Sequence, residues 1–370
     1  MKVNFNDLAA QWNLVKQDCM RDFDDLFSRS NFILGDYVQK FEENFASFIG
    51  CKYALGVSNG TDALKLSAQA LELAGKSLFL IPANTYVATI MGIEQAYPHA
   101  DYMLVDCDEY HQMDVKLLES KLDKEASNYD NVVIVPVHLY GYTVDMDAVM
   151  SLANQYSCIV LEDSSQAHGA TWKGQKAGSF GKVSAFSLYP GKNLGAAGDA
   201  GVITTDDEQV YNRLIKLRNL GSSKKYIHEV KGSNHRLDTL QAIVVNHKLP
   251  FLQSWNEARR EVVKMYEMLI NNPRVTLPET PSGCCPVHHV YPVLVDDRDR
   301  FIEYLNDNDI QSGIHYPIII SEMEMYSDLD DNSDPRAHSY SKRMVSLPIH
   351  PFMSDEEIDY LCEVINNYDR

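Results

Sequence analysis

A single lysine with glycines close on either side is the residue of this chain best placed for covalent chemistry. Lys192 follows Gly191 and precedes Gly195 in a loop that interrupts an apolar run. Upstream, residues 158–163 form a second apolar run that ends on the acid Asp163. Such a run is typical of a buried parallel strand, and α/β sheets place their sites at the carboxyl ends of these strands. We therefore expect Lys192 and Asp163 to meet in one pocket.

A lysine and an aspartate in this arrangement suit pyridoxal phosphate (PLP). The lysine amine can hold this cofactor as a Schiff base, and a carboxylate can pair with its protonated pyridine nitrogen. A lone lysine in a loop usually just faces solvent, so the hypothesis depends on the strand that ends at Asp163. Gln166 lies three residues further on, and we expect its side chain to project into the same pocket.

A strand, a polar glycine turn and a helix rich in Ala and Leu offer a place for the phosphate group. Strand-like residues 53–57 lead to Asn59, Gly60 and Thr61, and a helical pattern follows. Unpaired amides and the dipole at a helix start favour an anion by roughly 0.3–1 kcal/mol per contact. A glycine there lets the phosphate approach the backbone. The same residues also serve as ordinary N-caps, so this turn alone leaves both roles open.

Tyr86 follows another strand-like run, at residues 77–82. An aromatic side chain at a strand exit can lie flat on a conjugated ring, although aromatic residues more often fill core space. His168, by contrast, has no ligand-spaced partner in the sequence, and we expect it to be structural.

Apolar runs alternate with helical patterns over most of the chain. The strand-like runs lie at residues 53–57, 77–82, 102–105, 132–137, 158–163, 184–188 and 202–205. Their alternation with helical segments predicts an α/β fold with a mostly parallel, doubly wound sheet. Residues 10–50 have a helical pattern with a break near Gly35.

Beyond Pro273 the pattern changes. It consists of strand-like residues 289–295, a short helix at 300–308, an acidic loop near 328–334 and a final helix at 354–367. We therefore expect a large domain over residues 1–248 and a smaller α+β domain over residues 249–370.

Composition excludes several classes of partner. The 370 residues are 45% hydrophobic and 23% charged, as in ordinary globular proteins. A net charge of −19 argues against general nucleic-acid binding and against docking on anionic membranes. Seven scattered cysteines predict reduced thiols. No signal-like start and no apolar run of ~18 residues is evident, so we expect a cytoplasmic protein.

Other common sites find little support in the sequence. There is no GxxxxGK[ST] run, no GxGxxG after the first strand and no GxSxG turn. No HExxH or clustered Cys/His pattern suggests zinc, so we expect no metal site. PLP binding is the hypothesis that uses several separated features together.

Seven ordered motifs carry a resemblance to a known family. They lie at residues 58–64, 82–89, 137–141, 162–170, 189–195, 234–238 and 313–317. With these motifs the chain resembles, over essentially its whole length, the DegT/DnrJ/EryC1/StrS family of PLP-dependent sugar aminotransferases. The resemblance implies a fold type I aminotransferase whose large domain has a mostly parallel seven-stranded sheet flanked by helices. It also implies a homodimer with active sites at the subunit interface.

The same resemblance assigns cofactor roles residue by residue. Lys192 would carry the Schiff base and Asp163 would hold the pyridine nitrogen, which makes them the catalytic residues. The other cofactor-binding residues would be Tyr86 stacked on the ring, Gln166 beside it, the turn Asn59, Gly60 and Thr61 with Ser187 at the phosphate, and Asn234 reaching that phosphate from the partner subunit.

The subgroup follows from residues near the lysine. Tyr189 and the stretch around Lys225 resemble the enzymes that aminate C-3 of a dTDP-linked 3-keto-6-deoxyhexose, with L-glutamate as the expected donor. By that resemblance Tyr189, Lys225, His315 and Tyr316 would contact the sugar or its diphosphate. Two alternatives stay open: amination at C-4 of a nucleotide-linked 4-keto-6-deoxysugar, and a PLP-binding sensor without turnover.

Overall fold

The computed structural model describes residues 1–329 and 335–369. Within these residues the α-helices are α1 (Leu8–Arg29), α2 (Asp36–Ile49), α3 (Gly60–Ala70), α4 (Ala88–Ala96), α5 (Val115–Glu125), α6 (Met146–Gln155), α7 (Glu208–Arg218), α8 (Thr239–Lys248), α9 (Leu252–Leu269), α10 (Arg298–Asp307), α11 (Pro335–Arg343) and α12 (Asp355–Asn367). The strands are β1 (Tyr53–Val57), β2 (Ser77–Pro82), β3 (Asp101–Val105), β4 (Asn131–Ile134), β5 (Ile159–Asp163), β6 (Thr171–Trp172), β7 (Gln175–Lys176), β8 (Val183–Ser187), β9 (Gly201–Thr205), β10 (Ser222–Lys224), β11 (Ile227–His228), β12 (Cys284–Cys285), β13 (Tyr291–Leu294) and β14 (Met344–Leu347).

A seven-stranded sheet forms the centre of the fold. Its strand order is β1-β9-β8-β5-β4-β2-β3. Strand β9 runs antiparallel to both neighbours, and the other neighbouring pairs are parallel. The structure thus confirms the expected mostly parallel, seven-stranded sheet of a fold type I aminotransferase.

Helices cover both faces of this sheet, because strand side chains alternate between faces and both sets are apolar. In β2, Phe79 and Ile81 pack in one buried cluster with residues of α3, α4 and α7. Leu78 and Leu80 pack in another cluster with residues of α5 and α6. The continuous apolar run of this strand reflects burial on both sides.

The N-terminal helical region breaks where the sequence predicts. Gly35, which precedes α2, has φ of +91°. Residues with a side chain rarely adopt this backbone conformation. On α2, Phe41 and Phe45 form a fully buried stripe. The edge of the Phe45 ring contacts Phe186 of β8, with ring centroids 5.1 Å apart. This stripe therefore supports the strand that leads to Lys192.

A separate buried cluster joins α9, α10, α12, β13 and β14, and includes Val3 from the start of the chain. We place the boundary between a large and a small domain at residue 248, between α8 and α9. Ile320 and Tyr326, which follow that boundary, nevertheless pack into the cluster of the main sheet. The strand expected at 289–295 is shorter, Tyr291–Leu294, and His288, three residues before it, has φ of +42°.

The acidic loop expected near 328–334 falls largely outside the described residues. Among the described helices, no segment is long and apolar enough to cross a membrane.

A fully buried carboxylate anchors the central strand β5. Glu162 accepts hydrogen bonds of 2.7–2.9 Å from three backbone amides of residues 178–181 and one of 3.0 Å from Nε2 of His138. The other ring nitrogen of His138 accepts from the Val144 amide, so the proton lies on Nε2. Glu162 thereby fixes the strand end that carries Asp163.

Glu162→Ala would leave three backbone amides and the buried His138 N–H without their acceptor. We expect the free energy of unfolding to fall by about 3–5 kcal/mol. Urea unfolding measures the change, and the exposed Glu119→Ala on α5 is the control, with an expected effect within about 0.5 kcal/mol. A loss below about 1 kcal/mol for Glu162→Ala would contradict the anchoring role.

Candidate active site

A cavity of about 830 Å³ lies at the ends of the central strands. Its walls come from residues that follow β1, β2, β4, β5 and β8, and from the segment around His315. The sequence-predicted residues that line it are Asn59, Gly60, Thr61, Tyr86, Asp163, Gln166, Ser187, Tyr189, Lys192, His315 and Tyr316. Side chains up to about 250 residues apart thus meet in one cavity.

Asp163 is the last residue of β5, and both of its carboxylate oxygens are occupied. Oδ2 accepts a hydrogen bond of 2.8 Å from the Thr89 hydroxyl, and Oδ1 accepts one of 3.1 Å from the Ser165 amide. The Thr89 hydroxyl in turn lies 2.7 Å from that of Thr85. These bonds fix the orientation of the carboxylate at the cavity wall.

Lys192 lies in a tight turn after β8. Its backbone amide donates to the Tyr189 carbonyl at 2.9 Å. A Cβ on Gly195 would lie 2.1 Å from the Pro190 carbonyl oxygen, which explains the glycine at that spacing. Burial lowers the pKa of the Lys192 amine to about 8, and attraction to Asp163 offsets only part of this shift. The amine therefore exchanges its proton near neutral pH.

The start of α3 forms a cradle beside Ser187. Asn59 Oδ1 accepts from the Asp62 amide at 2.8 Å, while the Gly60 and Thr61 amides have no acceptor within the helix. A Cβ on Gly60 would lie only 2.6 Å from the Ser187 Cβ, so the close approach requires glycine here. Two free amides, a helix dipole and a hydroxyl are suitable ligands for a phosphate.

The acid at this helix start, Asp62, is hydrogen bonded by its neighbours. Burial tends to raise the pKa of Asp62, but hydrogen bonds from His235, Ser58 and Asn59 outweigh it and lower the pKa. The ring Nδ1 of His235 lies 3.0 Å from Asp62 Oδ2.

Gln166 connects the cavity to its aromatic wall. Its Oε1 accepts from the Tyr140 amide at 2.5 Å, and its Nε2 donates to the Tyr316 hydroxyl at 3.0 Å. The Tyr86 ring is 52% exposed and lies 5.0 Å from that of Tyr316, centroid to centroid. An exposed aromatic face at this place can stack on a planar ligand.

His315 is held on two sides. Its Nδ1 lies 2.9 Å from the Ser346 hydroxyl, and its ring stacks on Phe5 with centroids 5.9 Å apart. Burial, assisted by the charge of Lys192, lowers the pKa of His315 to about 4. The imidazole is therefore neutral at physiological pH.

Two predicted residues lie outside this cavity in their own chain. Asn234 lines a second cavity of about 450 Å³, which shares Asp199 with the first. Lys225 lies between β10 and β11, exposed, with its ammonium 5.2 Å from the centre of the Tyr226 ring.

The structure adds residues that sequence reasoning did not single out. Thr89 binds Asp163, Phe5 and Asn6 form part of the cavity wall, and His289 lies beside the Lys192 turn. Thr89 falls within a recognised motif, 82–89, which was a signal that it had a role. The sequence contained no such signal for Phe5, because the His315 ring on which it stacks is some 310 residues away.

The residues present fit PLP. Lys192 supplies the amine, Asp163 a fixed carboxylate for the pyridine nitrogen, and the α3 cradle with Ser187 a phosphate site. Within the described residues there is no group of three or more His, Cys, Asp or Glu side chains arranged to hold a metal ion.

Comparison with known proteins agrees with this geometry. Residues 14–366 match the model of the DegT/DnrJ/EryC1/StrS aminotransferase family. The chain is 41% identical, over 91% of both chains, to a dTDP-3-amino-3,6-dideoxy-alpha-D-galactopyranose transaminase of Aneurinibacillus thermoaerophilus.

Two solved structures are also similar. The structure of S. venezuelae DesV in complex with a ketimine intermediate has a TM-score of 0.93 and 33% identity, covering 100% of this chain and 99% of that one. The structure of NtdA from Bacillus subtilis with bound cofactor PMP has a TM-score of 0.87 and 26% identity, covering 98% and 84%.

The lowered pKa of Lys192 makes a kinetic prediction for the cofactor-free protein. Below pH 8 the amine is protonated and unreactive, and above it the amine is free. The rate of Schiff-base formation with added PLP should therefore rise about tenfold per pH unit up to about pH 8 and level off above. Stopped-flow absorbance measures this rate. N-acetyl-lysine amide is the control and should show no plateau below pH 10. A rate for the protein that still rises at pH 9.5 would contradict the assignment.

Proposed function

The chain belongs to the DegT/DnrJ/EryC1/StrS aminotransferase family, and we propose that it transfers an amino group from L-glutamate to C-3 of a dTDP-linked 3-keto-6-deoxyhexose. Members of this family depend on PLP and act on nucleotide-linked sugars. The product would be a dTDP-3-amino-3,6-dideoxyhexose. The observation that carries the proposal is the convergence of Lys192, Asp163 and the α3 cradle on one cavity.

The proposed sugar specificity is inferred from the similarity of this chain to a named relative and to the C-3 subgroup. The Aneurinibacillus relative is named for a dTDP-linked 3-amino-3,6-dideoxyhexose, and it is 41% identical over 91% of both chains. Tyr189, which precedes the lysine turn and resembles the C-3 subgroup, is 58% exposed at the cavity. We assign Tyr189, His315 and Tyr316 to the acceptor sugar.

Each polar group of the site has a defined task in this proposal. PLP, when bound, supplies a conjugated ring that accepts electrons from the donor's α-carbon. Asp163, fixed by Thr89 and Ser165, holds a proton on the pyridine nitrogen. The Lys192 amine, with a pKa of about 8, takes and returns the proton of the donor as general base and acid.

The charge of the cavity supports a second copy of the chain as partner. Among the described residues that line it, Lys192 is the one lysine or arginine, whereas three are aspartates: Asp62, Asp163 and Asp199. Glutamate and a nucleoside diphosphate are anions, and such a surface attracts them poorly. The cavity therefore needs cations from elsewhere.

The hairpin β10–β11 is a suitable source of these cations. Lys224 and Lys225 are exposed on it, next to Tyr226 and Ile227, which are 83% and 52% exposed. Large apolar side chains exposed beside lysines are typical of a surface covered by a partner. We place this hairpin, together with Asn234, at the cavity of the partner subunit in a homodimer.

The reaction itself is tested by absorption of the PLP-loaded protein. A band near ~410–430 nm should shift to ~330 nm when L-glutamate is added. A dTDP-linked 3-keto-6-deoxyhexose should restore the first band, and a 4-keto-6-deoxyhexose should not. Restoration by the 4-keto sugar alone would establish the C-4 alternative, and no response to glutamate would favour a sensor without turnover. Lys192→Ala should abolish the shift, whereas the exposed Lys116→Ala on α5 should retain it.

Mixing two inactive variants tests the shared site. In a dimer of one Lys192→Ala and one Lys225→Ala subunit, one cavity has both an intact Lys192 and an intact Lys225 from its partner. Activity should therefore return on mixing after dissociation, toward a quarter of the wild-type value, because about half of random dimers are mixed and each has one complete site. No recovery would place Lys225 in its own subunit's site, and an active Lys225→Ala protein before mixing would place it outside the site.

A further inference from the structure

Asn193, directly after Lys192, is buried and hydrogen bonded at both ends of its amide. Its Nδ2 donates at 2.9 Å to the Val287 carbonyl and at 2.9 Å to Asn256 Oδ1. A backbone carbonyl can only accept, so the nitrogen of Asn193 must face Val287. The oxygen of Asn193 then faces the ring of His289, with 3.2 Å between Oδ1 and Nδ1.

The amide of Asn256 is oriented in the same way. Its Nδ2 donates at 2.8 Å to the His168 carbonyl, which leaves Oδ1 for Asn193. Two backbone carbonyls, of Val287 and His168, therefore determine the orientation of both asparagine amides. Exchanging the amide oxygen and nitrogen of either asparagine would break these bonds.

This arrangement determines the tautomer of His289. Asn193 Oδ1 can only accept, so Nδ1 of His289 must carry a proton. A neutral imidazole has one such proton, so Nε2 keeps its lone pair. Burial holds the pKa of His289 well below its usual range, and the charges of Lys192 and Arg259 act in the same direction.

Among the described residues, the titratable groups that influence the pKa of His289 are all basic. The titratable groups acting on it are Lys192 in the turn after β8, Arg259 on α9, and the neutral His315 and His168. No carboxylate is among these groups. Both His289 and Lys192 line the cavity, and the His289 ring is bonded to Asn193, the chain neighbour of Lys192.

We propose that Nε2 of His289 accepts a hydrogen bond from the Lys192 amine and so positions it for proton transfer, with Asn193 holding the imidazole in the required tautomer. A neutral acceptor directs the amine without adding the negative charge that would stabilise an ammonium. His289 is thus a positioning residue. The inference rests on the proposed function and adds a residue to its proton transfer.

Two substitutions at His289 separate an acceptor from a packing role. Phenylalanine keeps the shape of the ring but has no acceptor, whereas glutamine changes the shape and keeps an acceptor oxygen. We expect His289→Phe to slow the glutamate-driven shift from ~410–430 nm about 10–100-fold, and His289→Gln to stay within about threefold of wild type. Both variants should retain the ~410–430 nm band. The opposite order of rates would show a packing role and overturn the inference.

Asn193→Asp provides a pH-dependent test. A carboxylate beside His289 would stabilise the imidazolium and raise its pKa toward or above ~6.5. Below that pH the charged ring can no longer accept, so the rate of the glutamate step should fall at low pH with an ionisation that wild type lacks. The double variant with His289→Gln should lose this ionisation. Identical pH profiles in all three proteins would contradict the proposal.

The tautomer is measurable without turnover. In PLP-loaded protein labelled with ¹⁵N-histidine, long-range ¹H–¹⁵N correlations distinguish the two neutral forms among the 12 histidines. The signal that disappears in His289→Gln should have its proton on Nδ1, and a proton on Nε2 would overturn the inference. This measurement decides it even if wild type does not respond to glutamate, an outcome that would instead contradict the proposed function.

Discussion

The site depends on keeping an amine close to a carboxylate without letting the two form a full ion pair. Removal from water lowers the pKa of Lys192 to about 8, and the attraction of Asp163 offsets only part of that shift. Both oxygens of Asp163 are already engaged, by the Thr89 hydroxyl and the Ser165 amide. These bonds hold the carboxylate in place for its proposed contact with a ring nitrogen and limit its pairing with the lysine.

The two-residue period of a strand explains how the fold supports this arrangement. Glu162 and Asp163 are neighbours at the end of β5, so their side chains point to opposite faces. The Glu162 carboxylate accepts hydrogen bonds from three loop amides, whereas the Asp163 carboxylate lines the cavity. Glu162 therefore stabilises the strand end that carries Asp163.

The cavity is also where distant parts of the chain are joined. Val3 is buried in the cluster that joins α9, α10, α12, β13 and β14, and Asn6 donates at 3.5 Å to the Gly191 carbonyl, next to Lys192. Asn193 connects the same turn to Asn256 on α9. The lysine turn is thus held from both sides of the proposed domain boundary.

Residue types and spacing alone determined much of this protein. Alternating apolar runs predicted the sheet, and the rule that parallel strands gather their carboxyl ends at one edge brought Lys192, Asp163 and the α3 cradle together. Tertiary structure decided the rest. Thr89 and Asp163 are 74 residues apart, and Asn193 and His289 are 96 apart, so no local period links either pair. The tautomer of His289 and the placement of Lys225 and Asn234 outside the cavity of their own chain likewise follow only from packing, because hydrogen-bond orientation and surface exposure are properties of the folded chain.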